Sequence, residues 1–282
     1  MSADGTRSAP SPALIRALWT VVALLVALGV FAAVGRTVFL DDFIARTEPV
    51  RLWNMAALGR DDPMALQRPA VVARMDGTFA THPKLTLLHV VPGGLFLLFA
   101  PLQFSSRLRA RYLTLHRWSG RILLPLLIAT VLPGLFFGVL MPFGGVGEAV
   151  AIALFSPALL ISIVVAFVAV RRGQIARHRE WMIRVFAFAV AISTIRLAFG
   201  AIDAALTPSG YPPRDQFVLS VWTGWIVTLA AAEGWIRYTR RRGEGLRIEA
   251  VPGRAQEARG RAAARRARRL IAPDRCLGRL LL

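Results

Sequence analysis

Cysteine is almost absent from this sequence, since Cys276 is the only one among 282 residues. One thiol cannot form an internal disulfide, an iron–sulfur site or a structural zinc site, so thiol-pair redox chemistry within one chain is excluded. Lysine is equally scarce, because Lys84 is the only lysine among 35 basic residues. Acidic residues number only 16, which leaves a formal net charge of +19 carried by arginine. Histidine occurs four times, so each histidine can be weighed individually.

Several catalytic motifs are also missing. The sequence contains no phosphate-binding loop, no nucleophile elbow, no metalloprotease motif and no dense carboxylate cluster, which counts against hydrolases and kinases. No nucleic-acid recognition motif accompanies the basic charge, so nucleic acid is not an expected partner. Whether the chain is an enzyme stays open at this stage.

Long hydrophobic runs are what the sequence has in abundance. Hydrophobic residues make up 55% of the chain and are gathered into blocks separated by arginine-rich segments, a pattern typical of membrane proteins. A helix that crosses a bilayer needs about 20 mostly apolar residues, and six blocks meet this requirement. We therefore predict an all-α, polytopic membrane protein, a bundle of six transmembrane helices in contact with the lipid bilayer. The predicted spans are residues 14–34, 85–104, 122–143, 149–170, 177–203 and 217–238.

The spans divide the chain into four segments. The apolar core of the first span exceeds the ~7–15 residues of a signal peptide, so we expect it to remain as an uncleaved helix. The tail after the last span is strongly basic and lacks apolar periodicity, which predicts a disordered segment held near anionic lipid headgroups. The predicted segments are residues 1–35 (N-terminal tail and first helix), 36–83 (a mixed-charge loop), 84–238 (a five-helix membrane core) and 239–282 (the basic tail).

The charges of the short loops predict the orientation. Residues 105–118 and 171–181 are dense in arginine, whereas residues 142–148 contain none. Because positively charged loops stay on the cytoplasmic side, we expect these two basic loops inside. Both termini then lie in the cytoplasm, and the loop 36–83 lies outside the bacterial inner membrane.

Two histidines occupy equivalent places in the sequence. His116 opens the string HRWSGR and His178 opens HREWMIR, and each precedes a span that runs from inside to outside. Two neutral imidazoles at one depth on neighbouring helices suit the axial positions of a b-type haem, whose propionates would pair with arginines. The simpler interpretation is that histidine, tryptophan and arginine are common at membrane interfaces. The candidate cofactor-binding residues are His116, His178, Arg117, Arg121, Arg184 and Trp181, with no metal expected beyond a haem iron.

Charged residues inside the spans suggest a second, buried polar cluster. Arg196 lies within the fifth span, and Asp203 follows seven residues later on the same helical face. Such charges are costly in a membrane and face a partner or a wet cavity. His89 is expected at similar depth, and a neutral imidazole beside a guanidinium suits a carboxylate, a quinone oxygen or a water. The alternative is a simple polar contact between packed helices.

Glu233 completes the buried polar residues, near the inner end of the sixth span. A structural ion pair with Arg184, Arg121 or Arg237 is the favoured interpretation, and a proton-relay carboxylate is the alternative.

Three blocks of the sequence resemble a known family. The strings LLHVVPGGLFLLFAPLQF, LHRWSGRIL and RHREWMIRVFAFAVAISTIR resemble, in content and order, those of the bacterial integral membrane family called domain of unknown function 2306, over roughly residues 80–238. The resemblance implies a location and an architecture but no activity. The long basic tail departs from the family. The motif positions are His89, Gly93, Gln103, His116, Arg117, Gly120, His178, Trp181, Met182, Arg184 and Arg196.

Two functional hypotheses follow. The first is a membrane redox protein that holds a haem or a quinone at the inner-face histidines. The second is a proton or small-solute transporter, or a membrane sensor, that uses the buried histidine and arginine residues. A scaffold without a small-molecule site is the third option. The identity of a substrate is not encoded in any recognisable motif.

Overall fold

A computed structural model describes the protein at residues 11–60, 62–63 and 68–241, and the regular structure in these ranges is helical. The chain divides into two units, Ala13–Gly234 and a second unit formed by Met1–Pro12 and Trp235–Leu282. In chain order the elements are α1 Pro12–Val38, α2 Phe43–Ala57, α3 Arg68–Ala80, α4 Pro83–Gln103, α5 Ser106–Arg111, α6 Leu113–Leu140, α7 Val146–Arg171, α8 Ile175–Leu206, a 3₁₀ turn Thr207–Ser209 and α9 Pro213–Arg241.

Six of these helices are long and apolar enough to cross a membrane: α1, α4, α6, α7, α8 and α9. The prediction of an all-α protein with six spanning helices is therefore confirmed. Large apolar side chains remain exposed along all six helices, as expected for surfaces that contact lipid rather than water. The protein is thus a multi-pass membrane protein in contact with the bilayer.

The helices extend beyond the apolar runs that revealed them. The third spanning helix, α6, begins at Leu113 rather than at residue 122, so His116 and Trp118 lie on its first turns and not in a loop. Amphipathic residues continue the backbone hydrogen-bond pattern at the membrane interface, where a hydropathy window no longer detects them. Likewise, α9 continues to Arg241 and takes in the first three residues of the predicted tail. From residue 242 onward, that tail lies outside the described residues.

The core of the unit Ala13–Gly234 is formed by α4, α6, α7 and α8. Phe96 of α4, Leu127 of α6, Ile163 of α7 and Val185 of α8 belong to one buried cluster. Because lipid is as apolar as these side chains, close packing rather than water exclusion holds spanning helices together. The cluster therefore fixes the positions of the four helices that carry the candidate site residues.

Small residues allow the outer helices to approach this core. A methyl group added at Gly29 of α1 would lie 2.7 Å from both Leu97 Cδ1 of α4 and Ser193 Oγ of α8. In α9, a Cβ at Gly224 would meet the Ile195 backbone of α8 at 2.8 Å. Glycine at these positions is what lets neighbouring backbones pack directly against each other.

The two ends of the bundle differ in character. We call the end carrying α5 and the turn 172–174 the arginine-rich end, and the end carrying α2 and α3 the capped end. At the capped end, Asp76 of α3 accepts hydrogen bonds from the backbone N–H groups of Ile44 and Ala45, both at 3.0 Å. It thereby satisfies the first turn of α2, a role that the side chain of Asp42, at the N-cap position, does not perform.

The same aspartate connects the cap to α1. Arg36 NH1 lies 2.7 Å from Asp76 Oδ1, and both side chains are buried. The guanidinium also lies over the rings of Phe43 and Phe79, with its central carbon 5.1 and 4.7 Å from their centroids. The segment predicted as a loop at residues 36–83 therefore contains two helices tied to the bundle by a buried ion pair.

Candidate functional site

The imidazole of His178 is held by the neighbouring helix. This residue lies in the first turn of α8, and its Nδ1 is 2.9 Å from the backbone carbonyl oxygen of Ala166 in α7. A carbonyl oxygen only accepts, so Nδ1 donates this hydrogen bond, and in the neutral tautomer that does so Nε2 keeps its lone pair. A backbone hydrogen bond of this kind fixes the tautomer and orientation of histidines that ligate metals.

The imidazole of His116 is close by and incompletely bonded. It lies in the first turn of α6, near enough to His178 for the two rings to interact electrostatically. Its Nδ1 is buried and has no hydrogen-bond partner within the described part of the chain. Unpartnered buried polar atoms are uncommon in folded proteins because their desolvation is not compensated. The two-histidine site thus combines one oriented imidazole with one that lacks a partner.

Hydrogen bonds join α4, α5 and α6 near the start of α6. Gln103 Nε2 donates to Ser119 Oγ at 2.7 Å, and Arg109 NH1 donates to the Gln103 carbonyl oxygen at 2.9 Å. Arg109 is also within electrostatic range of His116. Sequence reasoning did not single out Arg109, because nothing distinguishes it from the other arginines of its basic segment until α5 places it beside the site.

The arginines predicted to pair with haem propionates make different contacts in the structure. Arg184 donates from Nε and NH2 to both carboxylate oxygens of Glu233, at 2.5 and 3.1 Å, and stacks over Trp181 at 4.6 Å. This ion pair is the first of the three that the sequence suggested for Glu233, and it occupies Arg184. Arg121 stacks over Trp118 at 4.9 Å. Arg117 lies within electrostatic range of His116.

The donor set limits which metals fit. Among the described residues, no group of three or more histidine, cysteine or carboxylate side chains is arranged to hold a metal ion. Two histidines alone leave most positions of a bare zinc or copper ion unfilled. They do suit a haem iron, because the porphyrin fills four positions and the protein needs to supply only the axial ligands. The residues present therefore fit haem in donor type and number.

His89 forms a hydrogen bond with α6, in the half of the bundle away from the two-histidine site. Its Nδ1 lies 2.8 Å from the Thr130 carbonyl oxygen, and the absence of a side chain at Gly134 leaves room for the ring, since a Cβ there would lie 2.8 Å from its Cε1. Arg196 of α8 lies within electrostatic range of both His89 and Arg36. His89 and Arg196 thus lie within electrostatic range of each other, and their joint role stays a prediction.

Asp203, the third predicted member of this cluster, contacts residues outside the cluster. Its carboxylate oxygens are 3.4 Å from Arg51 NH1 of α2 and 2.9 Å from Thr207 Oγ1, which donates to it. The Arg196 side chain instead donates from NH1 to the Ile192 carbonyl oxygen, which lies 3.0 Å away and one turn back. Helical side chains lean toward the N-terminus, so Arg196 points away from Asp203 although both share a face. The expected Arg196–Asp203 contact is therefore not formed.

Arg51 contacts three carboxylates and was not identified from the sequence. Besides Asp203 it contacts the carboxylates of Glu48, at 2.7 Å from Nε, and of Asp62. Burial by itself lowers the pKa of Arg51, but the hydrogen bonds to Glu48 and Asp62 and the charge of Asp203 outweigh it and hold that pKa above its ordinary value. Asp203 follows Arg51 by 152 residues, so no local pattern predicts the pair.

The sequence matches one protein family. Over residues 86–236 it fits the family described as predicted membrane protein, domain of unknown function 2306. This range includes both histidines of the two-histidine site as well as His89 and Arg196. No curated protein and no solved structure matches the chain.

Proposed function

We propose, on the premise that the chain belongs to the domain of unknown function 2306 family of membrane proteins, that it is a membrane redox protein with a b-type haem at His116 and His178. The observation that carries the proposal is the pair of imidazoles on α6 and α8, which are close enough to interact electrostatically. One of them is oriented through Nδ1 by a backbone carbonyl, and the other has a buried nitrogen without a partner.

The electrostatics of the arginine-rich end support this choice of cofactor. A haem brings two propionates, and Arg109 and Arg117 both lie within electrostatic range of His116. Arginine binds carboxylates through charge-assisted, often bidentate hydrogen bonds. Arg184 is already paired with Glu233, so we assign it to positioning α8 against α9 rather than to the cofactor. When bound, haem would supply one-electron transfer, and the protein would supply axial nitrogen ligands and counter-charges.

The proposed orientation places this site at the cytoplasmic face of the bacterial inner membrane. The support is the arginine density of residues 105–118 and 171–181 under the positive-inside rule. Both termini would then be cytoplasmic, and the basic tail would lie near anionic headgroups. Reporter fusions after residues 75, 112, 145, 175 and 210 should report outside, inside, outside, inside and outside. A cytoplasmic signal from the fusion at residue 145 would overturn this orientation.

The visible spectrum of histidine variants tests the cofactor assignment. The full chain purified from haem-replete cells should show a Soret band, and His116→Ala or His178→Ala should abolish or strongly shift it. His82→Ala is the matched control, because His82 lies at the capped end, at the N-cap position before α4. The assignment fails if the protein is colourless, or if the band survives in the double variant His116→Ala/His178→Ala.

A quinone is the alternative redox cofactor at this site, because its carbonyl oxygens can accept hydrogen bonds from protonated imidazole nitrogens. Organic extraction of a colourless preparation, followed by detection of quinone in wild type but not in the His116→Ala variant, would support this occupant. Absence of both haem and quinone would favour the transporter or sensor hypothesis.

A further inference from the structure

The starting observation is a positive charge in a spanning helix without a negative partner. Within the described residues, Arg196 forms no ion pair with a carboxylate, and its side chain bonds only its own helix. It lies ten residues before the end of α8, or about 15 Å at 1.5 Å per residue. An arginine deep in a bilayer carries a cost of about 2.5–3.5 kcal/mol on insertion scales. A retained, unpaired guanidinium at this depth therefore calls for a compensating anion.

The charges around Arg196 do not balance. The Arg196 side chain is exposed on the surface of α8. Two other ionisable groups, Arg36 and His89, lie within electrostatic range. Arg36 is neutralised by Asp76 at 2.7 Å, and His89 is bonded through Nδ1 to a backbone carbonyl oxygen. With a neutral imidazole, one uncompensated positive charge remains.

A second unused donor lies one turn away. Ser193 precedes Arg196 by three residues, so the two side chains are neighbours on the surface of α8. The Ser193 hydroxyl is fully buried against Gly29 and has no hydrogen-bond partner in the described chain. An unpartnered buried hydroxyl is an independent indication that a polar group is missing from this region.

We infer that α8 binds, at the exposed Arg196 guanidinium near Ser193, a singly charged oxyanion carried by a membrane amphiphile. The one unneutralised guanidinium sets the charge of the ligand, and the apolar surroundings at this depth set its amphiphilic character. A fatty-acid carboxylate and an anionic phospholipid phosphodiester both have this chemistry. The site is separate from the two-histidine site and does not depend on haem.

Protection of Arg196 in the wild-type protein tests the inference. The full chain is reconstituted in phosphatidylcholine nanodiscs and treated with phenylglyoxal, which modifies accessible arginines, with and without oleate or phosphatidylglycerol. Peptide mass spectrometry then reports modification at each arginine. We expect Arg196 to be modified in phosphatidylcholine alone and protected by one of the probes. Arg214, an exposed arginine at the same end of the bundle, should stay unprotected.

Binding to variants provides the second measurement. Arg196→Gln should bind the protecting probe roughly tenfold to a hundredfold more weakly, the range expected for one hydrogen bond to a charged group. Arg214→Gln should bind it like wild type. Protection by oleate identifies a carboxylate amphiphile, and protection by phosphatidylglycerol alone identifies a phospholipid headgroup.

The inference is overturned if neither probe protects Arg196, or if Arg196→Gln binds both probes as wild type does. The protection experiment needs no variant, so it decides the question even where Arg196→Gln fails to accumulate.

Discussion

Replacement of Asp76 should detach the cap from the bundle. The carboxylate of Asp76 is buried, pairs with Arg36 at 2.7 Å, and accepts the N–H groups of Ile44 and Ala45 at the start of α2. Asp76→Ala removes all of these interactions together and leaves the Arg36 charge buried without a partner. Asp76→Asn keeps an oxygen for the α2 amides but removes the charge, so its effect should be intermediate.

The magnitude follows from the two roles of this carboxylate. Removal of one partner from a buried ion pair costs about 3–5 kcal/mol, because the remaining charge is uncompensated. Loss of a helix N-cap adds about 1 kcal/mol. The sum of about 4–6 kcal/mol corresponds to an opening equilibrium of α2 raised on the order of a thousandfold to ten-thousandfold. Hydrogen exchange of the α2 amides, measured in nanodiscs, should accelerate by that factor or until α2 is fully open.

Asp42→Ala is the matched control for this experiment. Asp42 forms an exposed ion pair with Arg46 at the same end of α2, at 2.8 Å, and its side chain makes no cap hydrogen bond. Exposed pairs contribute little to stability, so exchange in α2 should not change measurably. If Asp76→Ala alters the α2 exchange no more than Asp42→Ala does, the proposed role of the buried pair is wrong.

Three further predictions concern packing and ion pairs. Gly29→Ala should lower the melting temperature because its Cβ would meet Leu97 and Ser193 at 2.7 Å, whereas Gly200→Ala, with no atom within 4 Å, should not. A double-mutant cycle on Arg184 and Glu233 should give a coupling of about 1 kcal/mol, since Glu233 is partly exposed; zero coupling would contradict the ion pair. Arg51→Leu should remove the ion pairs of Arg51 with Asp203 and Asp62 and increase protease cleavage near residue 60. Unchanged cleavage would argue against a stabilising role of these ion pairs.

Hydropathy was sufficient to predict the six spanning helices, because an apolar run of about 20 residues matches one helical crossing, and a helix satisfies its backbone hydrogen bonds within the segment. The same hydropathy criterion placed the start of α6 nine residues too late, because the segment from Leu113 to Arg121 is polar enough to resemble a loop. The helices α2 and α3 were not predicted individually, because their short amphipathic sequences are held by tertiary contacts of Asp76 in α3 with the start of α2 and with Arg36 of α1.

The candidate sites were predictable in part. The repeated His-Arg-Trp pattern suggested one depth for His116 and His178 if their helices are neighbours. The structure places the two imidazoles within electrostatic range of each other, and a shared cofactor site stays a prediction. The pairing of Asp203 with Arg51 rather than Arg196 could not be predicted from the sequence. Helical periodicity specifies the face on which a residue lies but not the direction in which a long side chain points. The orphaned atoms of His116 and Ser193 likewise depend on three-dimensional packing.

The haem content of the purified full chain tests the central proposal most directly. The protein should be isolated from cells supplied with a haem precursor, quantified, and examined by absorbance in the oxidised and reduced states and by electron paramagnetic resonance. The proposed site predicts one haem per chain and a low-spin iron with two imidazole ligands. A preparation without haem, or a haem signal that persists after replacement of both His116 and His178, would contradict it.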